Sequence, residues 1–207
     1  MSLASRERAA LCDLFEQVGP DAPTLCEGWD TRDLAAHLHL RETSPLAVGI
    51  LVSPLSGAME RRQREMASGD WQNLVARVRT PPWWSPSSID AVDARANGAE
   101  YFVHHEDVRR AQPGWQPRPL SEADERALWG ILKAMGKQLY RRCPVPLVLR
   151  RPDGAELTVR PGHPSVVLSG PVSELVMHAY GRTEQARVAV EGPDDLVARF
   201  EETPLGV

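Results

Sequence analysis

Apolar runs long enough to cross a membrane are missing from this 207-residue chain, and so are most lysines. Of its 24 basic residues only Lys133 and Lys137 are not arginine. No stretch approaches the roughly 20 apolar residues a span requires, so no membrane partner is expected. The arginine and alanine bias reads as the base composition of a GC-rich genome rather than as chemistry. Cysteine is scarce: Cys12, Cys26 and Cys143 are odd in number, far apart and form no CxxC pair. A disulfide framework is therefore not expected, and a reducing cytoplasm is the natural compartment. Met1 to Ala10 mixes charged with apolar residues and lacks the apolar core of a signal peptide. An excess of positive charge is absent too, since 28 acidic residues outnumber the basic ones and the net charge is −4. The doublets Arg61-Arg62, Arg109-Arg110 and Arg141-Arg142 are scattered, so no nucleic acid partner is expected. There is no GxSxG nucleophile motif, no phosphate-cradling GxxxxGK[ST], no internal repeat and no low-complexity tract.

What is present is ordinary globular material, 42% hydrophobic and 25% charged. In residues 4–18, Ala9, Leu11, Cys12, Leu14, Phe15 and Val18 recur close to helical spacing, which predicts a first amphipathic helix. Gly19 to Gly28 reads as a loop. Asp30 stands where an N-cap belongs, with Asp33 three residues on, so a second helix is expected from about Thr31 to Thr43. Residues 56–79 read as a third helix with a break near Ser68-Gly69, and Asp90 to Ala111 as a fourth. The proline-rich run 80–88 cannot be helical throughout, and Pro113 to Pro119 resembles a linker. Beyond it Ser121 and Asp124 predict a capped helix over 121–142. Short strands follow at 146–150, 156–160 and 166–168, the first two joined at Asp153-Gly154, a hairpin signal. Pro171 fits the first helical position of a helix through about Tyr180. A strand at 187–190 and a helix at 193–201 complete the chain. The expected class is α+β: a four-helix domain over 1–112, then a small α+β domain over 120–207 whose first helix is free to pack on the bundle.

The residues best suited to chemistry are histidines and acids on two of these helices. Glu100 and His104 are four apart in the fourth helix, so a carboxylate and an imidazole lie one above the other on one face. His37, in the second helix, comes opposite them if the two helices are neighbours. Two imidazoles and a carboxylate suit zinc or a similar divalent ion and leave a coordination position open. The plainer alternative is a solvated Glu–His pair and a half-buried histidine with no ligand. His105 is rotated about 100° from His104, and His39 about 200° from His37, so both belong at the surface or behind the ligands. Asp107 is placed either to orient a ligand or to sit in solvent. Arg41 and Arg182 could clamp a carboxylate of substrate or cofactor. Trp83 and Trp84 could roof a pocket or plug the core. Trp29 reads as a core residue under the second helix, Cys26 as structural, and His163 and His178 carry no usable pattern.

The stretch TLCEGWDTRDLAAHLHL at 24–40 resembles the second-helix motif of the DinB-like metal-binding four-helix bundles. In particular it resembles the mycothiol-dependent maleylpyruvate isomerase family, with Trp29, Asp33 and His37 in order. GAEYFVHHEDVRRA at 98–111 is similar to that family's Glu-x-x-x-His-x-x-Asp motif, through Glu100, His104 and Asp107. HAYGRTEQARVAVEG at 178–192 resembles its C-terminal Gly-Arg and strand segment, so the likeness spans nearly the whole chain. It implies a DinB-like bundle with His37, Glu100 and His104 as ligands of a divalent ion, zinc before nickel or iron. It also implies mycothiol as the thiol cosubstrate and an arginine at Arg182 as a catalytic and cofactor-binding residue; Arg41, four residues beyond His37, is the other cofactor-binding candidate. The activity implied is thiol transfer to a small electrophile, or isomerisation through such an adduct. Bundles of this type pair through helix faces, which makes a homodimer the oligomeric expectation.

This chain also departs from the family pattern, with HHED in the second motif, a Trp- and Pro-rich 80–88 loop and a short length. Those departures bear on the substrate rather than the ligands and motivate a second reading, ranked after the enzyme: a metal- and small-molecule-binding stress or detoxification protein that catalyses nothing. A metal-assisted hydrolase ranks third, because no HExxH arrangement supplies a general base.

Overall fold

The computed structural model describes residues 2–43, 56–82 and 90–205, and side chains over 2–43, 61–82 and 97–205. Helix α1 (Leu3–Val18) starts where the Ser2 hydroxyl accepts a hydrogen bond from the Ser5 amide at 3.1 Å. It stops at Gly19, whose φ of 85° suits only a residue without a side chain. Helix α2 (Thr31–Thr43) is capped as its sequence predicts, the Asp30 carboxylate accepting from the Asp33 amide at 2.9 Å. The stretch 56–79 is two helices, α3 (Ser56–Ala67) and α4 (Trp71–Arg79), divided where the spacing weakens. The Asp70 side chain caps α4 by accepting from the Asn73 amide at 2.7 Å, which starts a new helix instead of continuing the old one. With α5 (Asp90–Arg110) there are five helices among the described residues of this part. Leu11, Phe15, Leu34, Leu38, Leu74, Val78, Tyr101 and Val108 form their shared core. Helix α1 lies along α5 and α4, and α2 along α3 and α4.

The chain divides between Gln116 and Pro117 into two compact units. In the second, α6 (Glu122–Leu139) is capped by Ser121, which accepts from the Asp124 amide at 3.2 Å. Strands β1 (Leu147–Arg150) and β2 (Glu156–Arg160) form the expected hairpin. Its turn closes through Gly154, at φ 83°, with the Gly154 amide donating to the Arg151 carbonyl at 2.9 Å. Strand β3 (Val166–Ser169) runs parallel to β1, and β4 (Ala189–Glu191) antiparallel to β3, giving the order β2-β1-β3-β4. The last strand starts later than its sequence predicts. The Arg187 amide donates to the Glu174 carboxylate at 2.8 Å instead of joining the ladder. Helices α7 (Val172–Ala179) and α8 (Asp194–Glu201) begin one residue after their prolines. Pro171 and Pro193 are thus the N-caps, with extended ψ values of 147° and 136°, rather than first helical residues. Every residue of α7 is buried, and Gly136 lets α6 lie close against β2. A methyl group there would stand 2.8 Å from Val159 Cγ1.

His178, without a legible role in the sequence, is the buried histidine of this unit. It hydrogen-bonds the Tyr140 hydroxyl at 3.0 Å and stacks on Phe200 with ring centroids 5.5 Å apart. Burial pushes its pKa down to about 4. The unfolded chain therefore binds more protons than the folded one between about pH 4 and the ordinary histidine value near 6.5. Stability falls as pH falls through that window and levels off below it. The whole effect is roughly 3 kcal/mol. In His178→Phe protein this part of the acid destabilisation is expected to vanish, flattening the plot of unfolding free energy against pH between 6.5 and 4. A slope equal to wild type in that window contradicts the assignment.

Candidate metal centre

Helix α2 carries His37 and Arg41 four residues apart, and α5 carries Asn97, Glu100, His104 and Asp107. The two helices bring three of these donors to one place. His37 Nε2 stands 3.5 Å and His104 Nε2 3.3 Å from the same oxygen, Glu100 Oε1. All three donor atoms lie within 4.8 Å of one another. The His37 ring is braced on one side by Trp29, at 5.0 Å, and meets the His104 ring edge-on at 5.6 Å. The three side chains are half-buried, so the cluster is reachable without being exposed.

Behind His104 stands a second layer. His104 Nδ1 makes a 2.9 Å contact with Asp107 Oδ2, and that carboxylate is wholly buried. The Asp107 carboxylate accepts from Nδ1, which fixes the ring so that Nε2 faces Glu100 and His37. The same Asp107 oxygen accepts from the Cys26 thiol at 3.3 Å, and Cys26 Sγ lies 3.8 Å from His104 Nδ1. Cys26 arrives there because its loop is pinned to α5, the Leu25 amide donating to the Asp107 carbonyl at 3.1 Å. The Thr24 hydroxyl also donates to the Trp29 carbonyl at 2.8 Å and accepts from the Cys26 amide at 3.1 Å.

Electrostatics hold the Glu100 charge in the cluster and, without a metal, a proton on His104. Burial would raise the Glu100 pKa, but hydrogen bonds from His104 and His37, with the charges of His104 and Arg41, outweigh it. They hold the carboxyl well below its usual range. Burial works against a charge on His104 as well. Asp107, then Cys26 and Glu100, reverse that and hold its imidazolium well above the ordinary value. Glu100 is thus ionised at neutral pH, and a cation entering the cluster displaces the proton of His104.

The donor set fits a tetrahedral divalent ion. With bonds of about 2.0–2.1 Å, ligand atoms of such a site are about 3.3–3.4 Å apart. The two His–Glu separations, 3.5 and 3.3 Å, match that edge. Asp107→Ala is expected to weaken zinc binding by roughly 10–100-fold, the usual cost of losing the group that orients a ligand. Cys26→Ser keeps a donor to Asp107 and should bind zinc nearly as wild type, whereas Cys26→Val should fall between the two. Chelator competition measures all three, and an unchanged Asp107→Ala affinity would remove Asp107 from the site.

The remaining sequence expectations divide. Cys26, read as structural, stands at the site, and no spacing signal could have found it, because its partners are 78 and 81 residues away. His39 and His105 join neither donor group but are buried rather than at the surface. His105 pairs with Glu7 at 2.7 Å, and burial, with the charge of Arg77, lowers the His39 pKa. Arg41 lies at the cluster, on Glu100 Oε1 at 3.2 Å and hydrogen-bonded to Asn97. Arg182 belongs to the second unit, just past the end of α7. There the Arg182 amide donates to the Met177 carbonyl and the Gly181 amide to the His178 carbonyl, each at 3.0 Å, and Gly181 has φ 88°. The Gly-Arg pair is thus first a helix stop of Schellman type, and the Arg182 guanidinium donates to the Tyr180 carbonyl at 2.6 Å. Trp83 and Trp84 lie outside the described residues.

No protein-family model and no curated protein matches this chain. Among solved structures it is similar to the crystal structure of the mycothiol-dependent maleylpyruvate isomerase. That likeness covers 91% of this chain and 90% of the other, at a TM-score of 0.61 and 20% identity. A histidine-to-alanine variant of that isomerase matches over the same shares at a TM-score of 0.59 and 19% identity. At this identity the likeness shows a shared fold, mixed α and β with a small sheet.

Proposed function

We propose that the first unit is a DinB-like metal-binding bundle and that the protein is a divalent-metal-dependent thiol transferase or isomerase. In this reading mycothiol is the cosubstrate and a small electrophile the partner. The observation that carries it is the convergence of His37 Nε2 and His104 Nε2 on Glu100 Oε1. The shared fold with a mycothiol-dependent isomerase supports the choice of thiol.

His37, Glu100 and His104 would hold the ion, zinc being the best fit to two imidazoles and a carboxylate. A bound dication would keep a thiol, ordinarily only a few per cent ionised at pH 7, as its thiolate. Asp107 and Cys26 fix the ring of His104, Trp29 fixes that of His37, and Glu100 stays ionised between them. Such a thiolate would add to an activated double bond, the π electrons moving onto the activating group. Expelled again after rotation it would leave an isomer; retained, with a proton taken up from water at the neighbouring carbon, it would leave a conjugate. Arg182 is proposed to hold a carboxylate of the thiol or substrate, as is Arg41 through whatever reach its contact with Glu100 leaves it.

The test is conjugation of mycothiol by zinc-loaded protein across a panel of electrophiles, followed by mass spectrometry of the adducts and by cis–trans conversion of activated olefins. Turnover that disappears in His37→Ala protein is the expected result. Metal-loaded protein that binds mycothiol but turns nothing over would favour the binding-protein reading. Protein that does neither sinks the thiol proposal.

A further inference from the structure

Arg41 does not reach Glu100 as a loose surface side chain. Its Nε lies 3.2 Å from Glu100 Oε1, while its NH1 donates to the Asn97 side-chain oxygen. Asn97 is buried, and its amide nitrogen lies 3.4 Å from Glu42 Oε1. The same Glu42 oxygen accepts from Arg8 NH2 at 2.6 Å, and Arg8 and Glu42 are buried as well. The order Arg8, Glu42, Asn97, Arg41, Glu100 alternates donors with acceptors from α1 through α2 and α5 to the proposed metal ligand. A guanidinium has its N–H groups in a fixed fork. With NH1 held by Asn97, the direction of Nε is set as well.

We infer that Asn97, backed by Glu42 and Arg8, locks Arg41 as a fixed positive charge on Glu100, and that this charge makes the centre select an anionic ligand for its open position. The inference rests on the metal reading above. With two neutral imidazoles, the Glu100 and Asp107 carboxylates bring a dication to a net charge of about 0, and Arg41 returns the centre to about +1. A carboxylate oxygen has two lone pairs, so Glu100 Oε1 can serve a cation and the Arg41 N–H together. Sharing that oxygen weakens its donation to the ion, while the extra charge draws anions into a partly dry site. Arg41 therefore acts in opposite directions on the two affinities, lowering that for the cation and raising that for the anion. The ligand class so favoured is a small anion such as a thiolate or carboxylate over a neutral molecule. Asn97 is a positioning residue that acts only through Arg41.

The experiment uses the full-length chain in its zinc and cobalt(II) forms. Zinc affinity is measured by chelator competition, and anion affinity by thiocyanate titration of the cobalt visible spectrum. Arg41→Gln should weaken thiocyanate binding about tenfold while binding zinc more tightly than wild type. Asn97→Ala should shift both affinities in the same directions by less, about threefold, and should add nothing in an Arg41→Gln background. A merely disrupted site would lose both affinities together, so a parallel fall in zinc and thiocyanate binding overturns the inference. Unchanged thiocyanate affinity in Arg41→Gln, or additive effects in the double variant, overturns it too. Wild-type protein that takes up neither zinc nor cobalt fails the metal reading itself; normal uptake with no effect of Arg41 fails this inference alone.

Discussion

Wild-type protein is expected to carry about one divalent ion per chain, and His104→Ala protein none. The donors come from two helices, and only Glu100 and His104 are neighbours along the chain. Removing His104 deletes one of the three proposed ligands and the ring that Asp107 and Cys26 hold in place. The loss of affinity should therefore exceed the roughly 10–100-fold typical of losing an orienting group alone. His37→Ala should lose the ion as well, and Glu100→Gln should keep the shape of the cluster but lose its charge. Elemental analysis of tag-free protein, as purified and after zinc reconstitution, makes the measurement. Absence of metal from reconstituted wild type would leave Glu100 and His104 an ordinary helical pair, and the enzymatic proposal would have no chemical basis.

The largest stability effect is expected at Glu42, which the core gives no reason to suspect. Arg8 and Glu42 bury an ion pair between α1 and α2, with side chains 6% and 2% exposed. The Arg8 guanidinium also lies over the Tyr101 ring, 4.6 Å from its centroid. Glu42→Ala takes its carboxylate partner from that buried guanidinium. Removing one partner of a buried pair typically costs about 3–5 kcal/mol, because the other charge keeps its desolvation penalty. Replacing both, as Arg8→Met with Glu42→Leu, should recover most of the loss, since a well-packed apolar pair has no such penalty. Hydrogen exchange along α1 and α2 reads this without assuming that the two units unfold together. Protection in Glu42→Ala equal to wild type would contradict the expected cost. The double variant also tests the inference about Arg41. The order from Arg8 to Glu100 is cut in it, so thiocyanate affinity should fall even where the fold is restored.

Local structure was largely legible in the chain. Asp30 and Ser121 cap helices where their side chains predict, and Asp153-Gly154 closes its hairpin. Those features depend on groups within a few residues of one another. The errors have longer reach. Strand β4 starts late because the Arg187 amide goes to Glu174, thirteen residues away. His105 is buried with its Nδ1 paired to Glu7, 98 residues earlier, at 2.7 Å. Periodicity left both His39 and His105 either at the surface or behind the ligands, since a burial pattern does not register a polar residue whose partner lies on another helix.

The site divides along the same line. Glu100, His104 and Asp107 share a helix face at i, i+4 and i+7, a consequence of 3.6 residues per turn that follows from the sequence wherever that helix forms. That His37 stands 3.5 Å from Glu100, that Cys26 donates to Asp107, and that Arg41 is held by Asn97 are decided only by how α2, α5 and the loop before α2 meet. Helical repeat is written in neighbouring residues. Contact between helices depends on the packing of a whole core, and each of these donors acquires its partner only when that core forms.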